Sequence, residues 1–136
     1  LTQRVGPFSW QVTHAERNQM TIDRVYGPAL GRSLVSCHAG LVYAVSYDPN
    51  AAGGIIAQTQ NTLKFLEENL AKAGSSKANL IQATVYLHDI SMKSEMDTIW
   101  NAWIGPKENW PQRACIQASM DDGTSLIEVV VIAAQS

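Results

Sequence analysis

The chain has 136 residues, 46% hydrophobic and 16% charged, with a formal net charge of −2 at pH 7. That length suits one domain, able to bury roughly two thirds of the surface its unfolded form exposes. The few, scattered basic residues make no stripe for phosphates, so nucleic acid is not an expected main partner, while the low charge count leaves room for an apolar association surface.

Two cysteines, Cys37 and Cys115, are too few for a disulfide framework, and no Cys/His cluster has the spacing of a structural zinc site. This usage reads as a reducing, cytosolic protein. No apolar run approaches the roughly 20 residues of a membrane span, and the first residues lack the basic segment and apolar run of a signal peptide.

Residues 1–19 are polar, aperiodic and interrupted by Gly6-Pro7, and read as an extension of unassigned role; a single domain is expected over 20–136. Strands at 34–37 and 41–47 are separated by His38-Ala39-Gly40, a hairpin signal. Between Gly53-Gly54 and Gly74 the apolar residues Ile55, Ile56, Leu63, Leu66, Leu70 and Ala73 recur at helical spacing, with Gly74 as the stop. A strand over 80–88 sets Ile81, Ala83, Val85 and Leu87 against Gln82, Thr84, Tyr86 and His88. Ser91 is a candidate N-cap for a second helix whose inward stripe is Met92, Met96, Ile99, Trp100 and Trp103, ended by Gly105-Pro106. The last strands, 113–119 and 126–134, flank Asp121-Asp122-Gly123, which is turn chemistry, and are expected to pair antiparallel. This order implies an α+β sandwich: one sheet with two helices on one face, joined through right-handed crossovers.

Alternation in the strand starting at Arg113 puts Ala114, Ile116 and Ala118 on one side and Arg113, Cys115, Gln117 and Ser119 on the other. The apolar side is expected to meet the helices, with Arg113 pointing away. On the last strand Glu128 shares a side with Val130 and Ile132, against Ile127, Val129, Val131 and Ala133. Both faces are apolar enough to be buried, and two helices cover only one, so a second subunit is expected to cover the other. A buried arginine needs an anion, from the chain or from a ligand.

Five blocks in order carry a resemblance: Gln58-Thr59-Gln60-Asn61-Thr62-Leu63, Leu70 with Ala73-Gly74-Ser75-Ser76, Ala83-Thr84-Val85-Tyr86-Leu87-His88-Asp89, Pro111-Gln112-Arg113-Ala114-Cys115-Ile116-Gln117-Ala118, and Ile127-Glu128-Val129 with Ile132-Ala133-Ala134. Together they resemble the Rid family, also called the YjgF/YER057c/UK114 family, over nearly the whole chain. The resemblance implies a chorismate-mutase-like α+β fold with a mixed sheet, and a homotrimer with a central barrel and clefts between subunits. It implies a hydrolase of the 2-iminobutanoate/2-iminopropanoate deaminase type. Such enzymes convert enamines and imines such as 2-aminoacrylate to keto acid and ammonia without metal or organic cofactor. In its terms Arg113 grips the substrate carboxylate, Glu128 positions or activates water, and Cys115 lines the pocket; Trp110, just before the arginine block, is read from its position as bordering the cleft.

Independent chemistry agrees. A guanidinium matches a carboxylate bidentately, an imine carbon is already electrophilic, and a carboxyl among apolar neighbours is pushed toward neutral pKa. Bland readings stand beside these: Arg113 as a structural ion pair with Glu128, Cys115 as an inert buried thiol, His38 and His88 as surface groups, Trp100 and Trp103 as packing. The sequence departs from the family pattern at Ala29, where an aromatic is common, at Val45, where glycine is typical, and at Asp97, where several members place asparagine. These three changes bear on which imine fits. The alternative to an enzyme is a non-catalytic trimer that binds or senses a small carboxylate. Ribonuclease action or translation inhibition, attributed to some relatives, is disfavoured by the acidic balance.

Overall fold

A computed structural model describes residues 21–136, so the expected extension over 1–19 lies outside the described residues. The elements are β1 (Asp23–Tyr26), β2 (Ser33–His38), β3 (Leu41–Tyr47), α1 (Ile55–Lys72), β4 (Leu80–Leu87), α2 (Lys93–Ile104), β5 (Gln112–Gln117) and β6 (Ile127–Ala134). They form one mixed sheet of order β1-β2-β3-β6-β4-β5, antiparallel except where β4 and β5 run parallel. Among the described residues no helix is long and apolar enough to cross a membrane.

Local chemistry explains most boundaries. The β2–β3 hairpin closes through Ala39 and Gly40 at φ +52° and +80°, the pair of positive angles that matches the twist of the flanking strands. Helix α1 buries Leu63, Leu66 and Leu70, a three-four stripe. It ends in a Schellman arrangement: Gly74 takes φ +76°, its N–H donates to the Ala71 carbonyl at 3.1 Å, and the Ser75 N–H donates to the Leu70 carbonyl at 2.8 Å. Ile56, counted with the inward stripe, is exposed. Helix α2 buries Met96, Trp100 and Ile104 and stops at Gly105, φ +81°. Its start corrects the expected cap. Ser91 lies in a 3₁₀ turn, Ile90–Met92, which Asp89 caps by accepting from the Ser91 N–H at 2.9 Å, and the helix itself starts after Met92, which makes no side-chain cap bond.

Both helices pack on one face of the sheet against Val42, Ala44, Ala83, Val85, Leu87, Ile127, Val129 and Val131. Each such side chain, fully withdrawn from water, contributes about 1.5–3 kcal/mol if it is Val size or larger.

Three strand expectations need correction. β1 was not anticipated; four mostly exposed residues carry too little alternation to signal a strand. β5 and β6 do not pair. They flank β4 on opposite sides, and the connection between them crosses its end, where the Leu87 carbonyl accepts from Ala118 N–H and the His88 N–H donates to the Leu126 carbonyl, each at 2.9 Å. The Asp-Asp-Gly segment is thus part of a wide crossing, and β6, apolar on both faces, takes the central place. Finally, a register shift between Leu80 and Gln82 buries Leu80 and turns Ile81 out to 44% exposure.

Candidate active site

The face of the sheet away from the helices carries Tyr47, Glu128, Tyr86 and Ile116 in one register row and Val45, Val130, Thr84 and Ala114 in the next. Glu128 is therefore a carboxyl between two tyrosines on a largely apolar surface. At its end of the sheet a cavity of about 650 Å³ is lined by Gly27, Ala29, Arg32, Ser33, Leu34, Val45, Tyr47, Ser119, Met120, Asp121, Asp122, Ser125 and Glu128. The wall is close-fitting at Gly27, where an added Cβ would fall 2.9 Å from Leu34 Cγ.

One wall is the β5–β6 connection, held by two devices. The Asp122 carboxylate accepts from the Ser125 hydroxyl at 2.7 Å, the Ser125 N–H at 2.8 Å and the Thr124 N–H at 3.0 Å. These bonds, the Ser125 hydroxyl foremost, hold its pKa down at about 2. From inside, the buried Gln58 of α1 donates to the Thr124 carbonyl at 3.0 Å and accepts from the Leu126 N–H at 2.9 Å. Glu128 behaves oppositely to Asp122. Burial raises its pKa above 4.5, the Asp121 charge adds to the rise, and Arg32 opposes it. A carboxyl so placed is suited to exchanging protons with water or substrate.

Arg113 stands elsewhere, and its expected direction is corrected. In the parallel pair Arg113 is opposite Ala83 and Cys115 opposite Val85, both of which are buried beneath the helices, so Arg113 and Cys115 share that helix-facing side. Ala114 and Ile116 face the open side. The guanidinium is not a free fork: Nη2 donates to Asp97 Oδ1 at 2.5 Å, Nη1 lies 3.8 Å from Met96 Sδ, and the group sits 5.2 Å from the Trp100 ring centroid. Asp97 also accepts from Lys93 Nζ at 2.7 Å. Burial alone would raise the Asp97 pKa, but the bonds from Lys93 and Arg113 outweigh it and hold the group below 3.8. The Cys115 thiol is pushed up, by burial first, against the pull of Arg113.

The structure thus brings Val45 and Glu128 together with Ala29 in the cavity, and Asp97, Arg113 and Cys115 together under α2, on the opposite face of the sheet. The ion pair weighed for Arg113 exists, but with Asp97 in place of Glu128. Trp110 joins neither group; it is exposed, with Nε1 donating to the Gly105 carbonyl at 3.0 Å. Arg32, Asp121 and Ser125 were missed. Arg32 follows a positive-φ glycine, Gly31 at +79°, in a loop with no periodicity, and the Asp-Asp-Gly segment signals a turn and nothing more.

Comparison with known proteins bears on this arrangement. The profile of the endoribonuclease L-PSP family matches residues 34–135. A RutC family protein of Haemophilus influenzae is 31% identical over 116 residues, covering 84% of this chain and 98% of that protein. The RutC family protein YoaB of Escherichia coli K12 is 30% identical over 115 residues, 85% of this chain and 99% of YoaB. The crystal structure of a YjgF-family protein from Neisseria meningitidis superposes with a TM-score of 0.79 at 28% identity, covering 87% of this chain and 98% of that one. The fold, the five residue blocks and these matches agree: the chain belongs to the endoribonuclease L-PSP family, the YjgF, RutC or Rid group of proteins.

Proposed function

We propose that the protein hydrolyses reactive enamines and imines, such as 2-aminoacrylate and its imine tautomer, to keto acid and ammonia, in the cavity that holds Glu128. The observation that carries this reading is a half-buried carboxyl of raised pKa, set among hydroxyls in a cavity of small-molecule size. Glu128 takes a proton from water as the oxygen bonds to the iminium carbon and the C=N electron pair moves to nitrogen. It then returns that proton to the nitrogen; the C–N bond breaks, the hydroxyl oxygen becomes the carbonyl, and its proton leaves on ammonia as ammonium. A group titrating above the ordinary carboxyl range does both halves at modest cost.

The reading includes assembly as a homotrimer with its clefts between subunits. Its support is the sheet face bearing Val45, Val130, Ile132 and Ile116, which no helix among the described residues covers. Arg113 and Glu128 lie on opposite faces of one sheet, so Arg113 contributes to a Glu128 cavity only across such an interface, and only when its fork is shared between Asp97 and substrate. A reducing, cytoplasmic setting is part of the same proposal and fits two unpaired cysteines. The family description speaks of an endoribonuclease; Asp121, Asp122 and Glu128 in the cavity oppose a phosphodiester there.

The Asp97–Arg113 pair ties up the fork that turnover on the family pattern would use, while Arg32 still offers a cation to an anion in the cavity, and this favours a second reading: a non-catalytic trimer that binds a small carboxylate. The test is ammonia release from a panel of imines generated in situ by an amino-acid oxidase or dehydratase. Release above the spontaneous rate with any of them supports the enzyme, and saturable keto-acid binding with no release from all supports the second reading.

A further inference from the structure

We infer that Asp97 is a displaceable counter-ion of Arg113 that sets how tightly the arginine takes a substrate carboxylate, with Lys93 as the cation that keeps Asp97 aside while the substrate is bound. The inference rests on the proposed reading in which Arg113 reaches a cleft across the subunit interface, and it adds two positioning residues to that grip.

The geometry is a row of three charges. Asp97 Oδ1 accepts from Arg113 Nη2 at 2.5 Å, and Asp97 Oδ2 accepts from Lys93 Nζ at 2.7 Å. Side-chain exposure rises along the row, 17% for Arg113, 26% for Asp97 and 45% for Lys93, so the aspartate has a second cation on its solvent side. Among the described residues neither cation has another ion pair, which leaves two positive charges on one carboxylate. An incoming carboxylate supplies the missing anion. Lys93 sits in the first turn of α2, against the helix dipole, and a lysine four residues ahead of an acid is the weaker order of such a pair. Helix stability therefore gains little from it, and its hold on Asp97 is what it provides.

The guanidinium keeps its place without the aspartate. The Trp100 ring lies 5.2 Å from it, and Nη1 meets the Met96 thioether, a weak acceptor, at 3.8 Å. Both paired-donor edges of an arginine, Nε with Nη2 and Nη1 with Nη2, include the nitrogen that Asp97 holds. A carboxylate taken bidentately thus competes with Asp97 directly. Its apparent affinity is lowered by the fraction of molecules in which Asp97 occupies the fork, and Lys93 reduces that fraction.

The test uses the protein in its solution assembly, with calorimetric titration of 2-oxobutanoate as the carboxylate probe and of 2-butanone as its uncharged counterpart. Asp97→Asn should bind 2-oxobutanoate about fivefold or more tighter than the wild type, whereas a merely structural aspartate would give a loss. Lys93→Met should weaken binding about threefold or more, and adding it to Asp97→Asn should change affinity by less than about twofold, because the lysine acts through the aspartate. Binding of 2-butanone should stay within about twofold throughout. In turnover Asp97→Asn should lower KM with kcat nearly kept, the pattern of an interaction made equally in ground and transition states. Should Asp97→Asn fail to fold, Lys93→Met, at an exposed position, carries the test alone. Unchanged or weaker 2-oxobutanoate binding in Asp97→Asn overturns the inference, as does unchanged binding in Lys93→Met, wild-type affinity in Arg113→Gln, or no binding by any variant. If affinities shift as expected and no imine yields ammonia, the hydrolase reading fails and the roles of Asp97 and Lys93 stand; if ammonia is released and Asp97→Asn leaves KM unchanged, the reverse holds.

Discussion

Glu128 and Asp97 are two carboxyls pushed in opposite directions, and each direction has a measurable consequence. Burial raises Glu128 above 4.5, so the folded chain holds that proton more firmly than the unfolded chain does. The stability this contributes is complete below the unfolded value and is lost as pH rises through the folded one. The melting temperature of the wild type should therefore fall relative to Glu128→Gln across the window just above pH 4.5, and parallel melting curves would contradict the assignment. Asp97 has the opposite sign: its folded pKa lies below 3.8 through Lys93 and Arg113. Its contribution is present above the unfolded value and disappears as pH falls through the folded one. Asp97→Ala leaves a half-buried arginine without its anion, and we expect a loss of about 1–3 kcal/mol in urea unfolding at pH 7 that shrinks toward pH 3.

At the scale of elements, the cavity wall depends on a side chain in the opposite layer. Gln58 spans from α1 to the β5–β6 connection through Thr124 and Leu126, and it also donates to the Gly53 carbonyl at 3.2 Å. Gln58→Ala strands a buried N–H and two carbonyls, and should cost about 1–3 kcal/mol with faster amide exchange over 120–126. Exchange unchanged there would show the connection to be held without it. This staple was invisible in the sequence, where Gln58 is one polar residue on a helix. By contrast the hairpin at Ala39-Gly40, the stop at Gly74 and the stripe of α1 were legible, because each is set by residues a few positions apart. The place of β5 was not. Strand pairing is a long-range choice, and the polar and apolar sides of an edge strand do not say which side the helices take. Arg113 reads as an outward residue until β4 is known to be its neighbour, with Ala83 in register.

For the whole molecule the open face of the sheet decides the most. Val130 and Ile132 of β6 stand on it between Val45, Tyr43 and Thr84, partly exposed in the single chain. A strand apolar on both faces suits a protein whose second layer comes from copies of itself. We expect Ile132→Lys to shift the protein to monomer in sedimentation while far-UV dichroism stays native, since the helix-side core is untouched. An unchanged sedimentation coefficient would show that this face is not the interface. The residue blocks reached the family directly, yet the composition of the cavity, with Arg32 and Asp121 lining it along with Glu128, needed the fold to bring residues 27–34, 45–47 and 119–128 together.

The most direct measurement is the initial rate of ammonia release from 2-aminoacrylate generated in situ, for wild type and Glu128→Gln, from pH 4 to 9. The account predicts a wild-type rate well above the spontaneous one, falling on the acid side with an apparent pKa above 4.5, and a drop of roughly 10²-fold or more with loss of that limb in Glu128→Gln. Equal rates for the two proteins, with the same pH profile, would contradict it.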